Sequence, residues 1–134
     1  MAVVGLVGLG LLGHAVAARL AAAGHAVVGY DVVPDRVTAL TALGGKGAGS
    51  AADVAARVEA VFTVLPSLET VEDAILGPDG VLAGAPPGQV VIQMSTISPE
   101  LTGRLAAEVE RRGRAFLDCP VSGTSGQVAR GEGL

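Results

Sequence analysis

The sequence predicts an α/β domain in which helices cover both faces of a doubly wound parallel sheet. Three observations carry that reading. Apolar runs alternate with helical stretches along all 134 residues. Half of the residues are hydrophobic and only 16% are charged. The runs are continuous rather than alternating, as in strands buried on both faces. With Phe62, Phe116 and Tyr30 as the whole aromatic complement and 20 glycines in the chain, the core must be aliphatic and its elements closely packed. At this length a single domain can bury about two-thirds of its unfolded surface.

The elements follow in order. Ala2 to Val7 is an apolar run suited to a central strand. Leu11 to Ala23 is rich in Ala and Leu, and Gly24 supplies a left-handed stop, which together predict a helix. Ala26 to Tyr30 is a second strand, ending at Asp31. Pro34 opens a helix to about Leu43, closed by Gly44 and Gly45. Ser50 caps a helix over Ala51 to Val58, and Ala60 to Leu65 is a strand stopped by Pro66. Ser67 caps Leu68 to Leu76, and Gly77-Pro78-Asp79-Gly80 is a turn. Pro86-Pro87-Gly88 leads into a strand from Gln89 to Met94. Ser98-Pro99-Glu100 combines a cap, a first-turn proline and an acid at the positive dipole end, so a helix runs to about Arg112. Ala115 to Leu117 is a short strand, and 118–134 carries turn chemistry with little periodicity.

Composition excludes several classes of partner. A formal charge of −4 offers no basic footprint for a nucleic-acid backbone, so any nucleotide must be held by local geometry. No run approaches the roughly 20 apolar residues of a membrane span, and the apolar start lacks a basic n-region and is broken by Gly5, Gly8 and Gly10. Cys119 is the only cysteine, which fits a reducing, cytoplasmic setting. No spacing of His, Cys or carboxylates suggests a metal site.

Gly8-Leu9-Gly10-Leu11-Leu12-Gly13 spells G-x-G-x-x-G. The string alone is weak in a glycine-rich chain, but it follows a strand, opens a helix and precedes a second strand that ends in Asp31, about 20 residues on. In that setting the first glycine permits the tight turn, the second admits a pyrophosphate, and the third brings helix and strand together. Helix N–H groups then hold the diphosphate without a lysine. Asp31 would accept from the adenosine ribose diol and repel a 2′-phosphate, which favours NAD over NADP; the competing reading is an ordinary strand-end turn residue. Arg36 reads as a solvated helix residue.

Together with Leu65-Pro66, Ser95-Thr96 and Asp118-Cys119-Pro120-Val121-Ser122-Gly123, these motifs resemble the β-hydroxyacid dehydrogenase family in order and spacing. The resemblance covers the whole chain but only the amino-terminal half of a typical member. It implies a Rossmann-type sheet over 1–134 whose segment 118–134 leads toward an absent all-α second domain. It implies that Gly8, Leu9, Gly10, Leu11, Leu12 and Gly13 bind pyrophosphate, that Leu65, Pro66 and Thr70 lie against the cofactor, and that Thr96 approaches the nicotinamide. It further implies that Ser122, Gly123 and Thr124 hold the carboxylate of a small hydroxy-acid substrate, and that the two-domain enzyme is a homo-oligomer. The family's catalytic lysine and asparagine belong to the second domain, and no residue here matches either.

The chain departs from the family pattern at Gln93, where Asp is usual, at Thr124 and Gln127, where Gly is usual, and in small changes at Leu12 and Cys119. Lys46, His14 and His25 lie away from the Thr96 and Ser122 loops, Cys119 reads as a small buried residue, and Glu69, Glu72 and Asp73 read as a solvated helix face. Three functional expectations stay open. They are the NAD-binding domain of a 3-hydroxyacid dehydrogenase, that of a 6-phosphogluconate dehydrogenase-like or imine-reducing relative, and a stand-alone NAD-binding regulatory module or inactive fragment.

Overall fold

A computed structural model of the chain describes residues 2–84, 86–121 and 125–131. Six parallel strands form one sheet: β1 Val3–Val7, β2 Ala26–Tyr30, β3 Lys46–Gly47, β4 Ala60–Thr63, β5 Val90–Gln93 and β6 Ala115–Asp118. Their order is β3-β2-β1-β4-β5-β6. The helices are α1 Leu11–Ala22, α2 Pro34–Ala42, α3 Ala51–Ala55, α4 Leu68–Leu76, α5 Val81–Gly84, α6 Pro99–Arg111 and α7 Ser125–Ala129.

Side-chain alternation along the strands sorts the core into two layers. Val4 and Leu6 of β1 and Val27 of β2 pack with Val16 of α1, Leu40 of α2 and Val128 of α7. Val7, Val28, Val61 and Val91 face the other way, against Val54 of α3, Val71 and Ile75 of α4, Val81 of α5, and Leu101, Leu105 and Val109 of α6. Both faces of the central strands are therefore covered, which is why their sequences read as unbroken apolar runs. Each fully buried Val or Leu in these layers contributes about 1.5–3 kcal/mol relative to an exposed one.

The chain leaves β1 toward one face and β4 toward the other, so a crevice opens at their carboxyl ends. Register puts Tyr30, Val7, Thr63, Gln93 and Asp118 in one row across that edge. The segments at Gly8, Asp31, Leu65 and Ser95 begin one or two residues beyond this row, and the segment from Asp118 begins in it.

Four expectations are corrected. The third helix stops at Ala55 rather than Val58: the Arg57 and Val58 N–H groups close onto Val54 and Ala55, three residues back, and the buried Gln89 amide donates to the carbonyls of Ala55 (2.8 Å) and Val58 (2.9 Å). The connection holding Lys46 contains a two-residue edge strand, paired to Val28 and Gly29. The segment after β6 contains α7, whose Val128 is buried against the α1 layer. Cys119 is exposed, since it follows an edge strand that has a neighbour on one side only.

Candidate functional site

A cleft of about 690 Å³ lies at the carboxyl edge of β1, β2 and β4. One wall is the glycine turn and the start of α1: Gly8, Gly10, Leu11, Leu12 and Gly13. Each glycine there has a distinct physical reason. Gly8 has φ +100°, and a Cβ on it would sit 2.0 Å from the Val64 carbonyl oxygen. A Cβ on Gly13 would sit 2.0 Å from the Gly8 carbonyl oxygen, so these two positions are small because backbone meets backbone. Gly10 differs: a Cβ there meets nothing within 4 Å, and the residue lines the cleft. The fold does not require a glycine at Gly10, whereas an approaching ligand would.

Helix α1 begins at this point without help. Its N-cap is Gly10, which supplies no side-chain acceptor, and its first turn holds no acid. The His14 N–H closes onto the Gly10 carbonyl at 2.8 Å, and the N–H groups before it stand at the helix end that faces the cleft. Uncapped donors and the positive end of the helix dipole form an anion site without any formal charge.

Asp31 stands at the end of β2, 9% exposed. Its Oδ2 accepts from the Leu9 N–H at 2.8 Å and its Oδ1 from the Val33 N–H at 2.8 Å. The carboxylate thus pins the glycine turn to β2. Arg36 Nη1 approaches Oδ1 at 3.5 Å, and both residues line the cleft. The solvated reading of Arg36 is half right: the guanidinium is half-exposed, but it faces the cleft and pairs with Asp31. Leu9 itself is buried in the core and contributes through its N–H alone. Leu11 and Val32, 85% and 80% exposed, give the cleft an apolar rim.

The opposite wall holds Leu65, Pro66 and Thr70 together with Ser50, Asp73 and Asp79. Asp73 is therefore a wall residue as well as part of a solvated helix face. Thr70 also starts its helix. Its Oγ1 accepts from the Ser67 N–H at 3.1 Å while the Ser67 Oγ accepts from the Thr70 N–H at 3.2 Å, a reciprocal capping box. Ser95 is buried and its Oγ accepts from the Leu65 N–H at 2.7 Å, joining the loop after β5 to the loop after β4. Thr96, next in the chain, is exposed and lies outside the cleft lining. Ser122, Gly123 and Thr124 fall outside the described residues. The sequence did not single out the wall at Ser50 and Asp79, which belongs to two loops far apart in the chain. Ser50 is also the helix cap its sequence predicts, accepting from the Asp53 N–H at 3.0 Å.

Over residues 3–133 the chain matches the family described as the NAD binding domain of 6-phosphogluconate dehydrogenase. It is 38% identical over 128 residues to a mitochondrial 3-hydroxyisobutyrate dehydrogenase of Rattus norvegicus, covering 96% of this chain and 38% of that enzyme. It is 37% identical over 128 residues to an NAD-dependent L-serine dehydrogenase of Pseudomonas aeruginosa, covering 96% of this chain and 43% of that enzyme. The fold superposes on Mycobacterium tuberculosis 3-hydroxyisobutyrate dehydrogenase, solved with L-serine, with a TM-score of 0.90 and 35% identity, over 97% of this chain and 44% of that one. The chain thus spans less than half the length of the relatives it matches, and it belongs to the family of NAD-binding domains of 6-phosphogluconate dehydrogenase type. Its α/β Rossmann-type sheet and its NAD cofactor class follow from that membership. Among the described residues no helix is long and apolar enough to cross a membrane.

Proposed function

Taking membership of this NAD-binding family as the premise, we propose that the chain is the cofactor-holding half, over 1–134, of a dehydrogenase acting on a small 3-hydroxy acid. The observation that carries the reading is the open end of α1: uncapped helix donors beside a Gly10 whose missing Cβ leaves empty space in the cleft. A pyrophosphate fits that end, being anionic and needing close backbone approach. Gly8 to Gly13 hold the diphosphate, and Asp31 keeps lone pairs for the adenosine ribose diol while its charge opposes a 2′-phosphate. Among the lining residues Arg36 is the cation, and its pairing with Asp31 leaves it poorly placed to favour NADP.

Leu65, Pro66 and Thr70 flank the middle of the cofactor, and Thr96 marks its nicotinamide end. Ser122, Gly123 and Thr124 take the substrate carboxylate through backbone donors and a hydroxyl. Bound here, the nicotinamide would accept the hydride, while these residues orient the substrate and exclude water. The proton acceptor is a lysine supplied by an all-α second domain, in a homo-oligomer. A single cysteine fits the reducing cytoplasm as its location.

Titration with NADH and NADPH tests the reading. The intact chain should prefer NADH by several-fold, and Asp31→Ala should shrink the preference. Equal affinities in the intact chain would contradict the role given to Asp31.

A further inference from the structure

Gln93 ends β5 with its side chain fully buried at the carboxyl edge of the sheet. A long amide is an unusual choice beneath a ligand cleft, and its bonds explain it. Oε1 accepts from the Ser95 N–H at 2.6 Å, and Nε2 donates to the Ser95 carbonyl at 2.7 Å. One side chain thus grips both backbone groups of a single residue, which also fixes which end of the amide is which. Nε2 approaches Asp118 Oδ1 at 3.4 Å, and Ser95 passes the restraint on by accepting the Leu65 N–H on its Oγ. The ends of β4, β5 and β6 are tied together through this one amide.

Resting on the reading of the cleft as an NAD site, we infer that Gln93 is a positioning residue for the nicotinamide half of the cofactor: it sets the Leu65-Pro66 and Ser95-Thr96 loops without touching the ligand. The chemistry explains why an amide suits the position. An ionised carboxylate at 93 could accept from the Ser95 N–H, but it would face the Ser95 carbonyl and Asp118 with no proton to donate, three acceptors against one another. An amide donates and accepts in any protonation state, so the loops keep their place across the pH range. The adenosine half has a restraint of its own, Asp31 on the Leu9 N–H, which remains when Gln93 is changed.

The test compares NADH with ADP-ribose, which lacks the nicotinamide, by calorimetric titration of the chain. Gln93→Leu should weaken NADH by about tenfold, the equivalent of one or two lost hydrogen bonds, and weaken ADP-ribose clearly less. Gln93→Glu supplies a readout that general loosening would not move. When protonated, the introduced acid donates to the Ser95 carbonyl as the amide does, and when ionised it repels Asp118. The register places Thr63 of β4, which does not titrate, on its other side, and α6 covers this face with Leu101, Leu105 and Val109. NADH affinity of Gln93→Glu, taken relative to ADP-ribose, should therefore fall as pH rises from about 5 to about 8, while the same ratio for the intact chain stays flat. If Gln93→Leu does not fold, this pH series decides alone. Equal loss of both ligands, no loss of either, or a flat Gln93→Glu profile would overturn the role of Gln93. An intact chain that binds neither ligand would overturn the reading of the cleft, and this inference with it.

Discussion

The first turn of α1 and the first turns of α4 and α6 meet the same need differently. Every helix leaves its leading N–H groups without intrahelical partners. In α4 the Ser67 and Thr70 side chains close a capping box and Glu69 faces the dipole; in α6 the Ser98 Oγ accepts from Leu101 N–H at 3.2 Å and Glu100 follows. In α1 there is neither side-chain cap nor acid, although a serine in place of Gly10 would stabilise the helix by roughly a few tenths of a kcal/mol. The difference separates helix ends completed by their own sequence from one that an outside anion would complete.

The largest effects are expected at the glycines. Gly8→Ala should destabilise the chain by about 3 kcal/mol or more, since it combines a positive φ with a backbone clash. Gly10→Val should leave stability within about 1 kcal/mol yet abolish NADH binding, because its side chain would fill the space where the proposed diphosphate lies. Urea unfolding read beside NADH titration separates the two. Retained binding in Gly10→Val would place the phosphate cradle elsewhere.

Ser98→Ala sharpens the other side. It should lower stability by about 1 kcal/mol with NADH affinity unchanged, since α6 starts away from the glycine turn. A comparable loss of NADH affinity would mean that helix caps and ligand site are not separable.

The smallest expected effect lies at the far end of α6. Hydrogen bonds from Arg111 and Arg112 hold the Glu108 carboxyl down at about 2, against an ordinary 4.5. A depressed folded value contributes stability above the unfolded value, and that stability is lost as pH falls from about 4.5 through about 2. Glu108→Gln should therefore slightly flatten the acid limb of a stability profile in that window and leave neutral stability and NADH binding nearly untouched. The cluster lies at the surface, with Arg111 largely exposed and Glu108 partly so, and solvent screening keeps the effect small.

The sequence disclosed the parts of this molecule that are locally determined. The runs at β1 and β2, the serine caps at Ser50, Ser67 and Ser98, and the glycine turn with Asp31 all follow from nearest-neighbour chemistry, and their boundaries hold to within a residue or two except in α3. What stayed hidden depends on partners distant in the chain. Lys46–Gly47 is a strand only because β2 offers it an edge, α7 is seated by a single Val128 against the α1 layer, and Val81–Gly84 is too short to show a period. The Ser50 and Asp79 wall is likewise assembled from separate loops. Gln93 appeared in the sequence as a departure from a family pattern, but nothing local revealed that its amide would clasp Ser95 and reach Asp118.

In the function proposed for this chain, the leading N–H groups of α1 are kept for a dinucleotide. Amide chemical-shift mapping during titration with NAD tests it most directly. The largest perturbations are expected at Gly10, Leu11, Leu12 and Gly13, with the first turn of α6 at Glu100 and Leu101 unmoved. Saturating NAD that leaves 10–13 unperturbed, or that shifts the capped end of α6 equally, would contradict it.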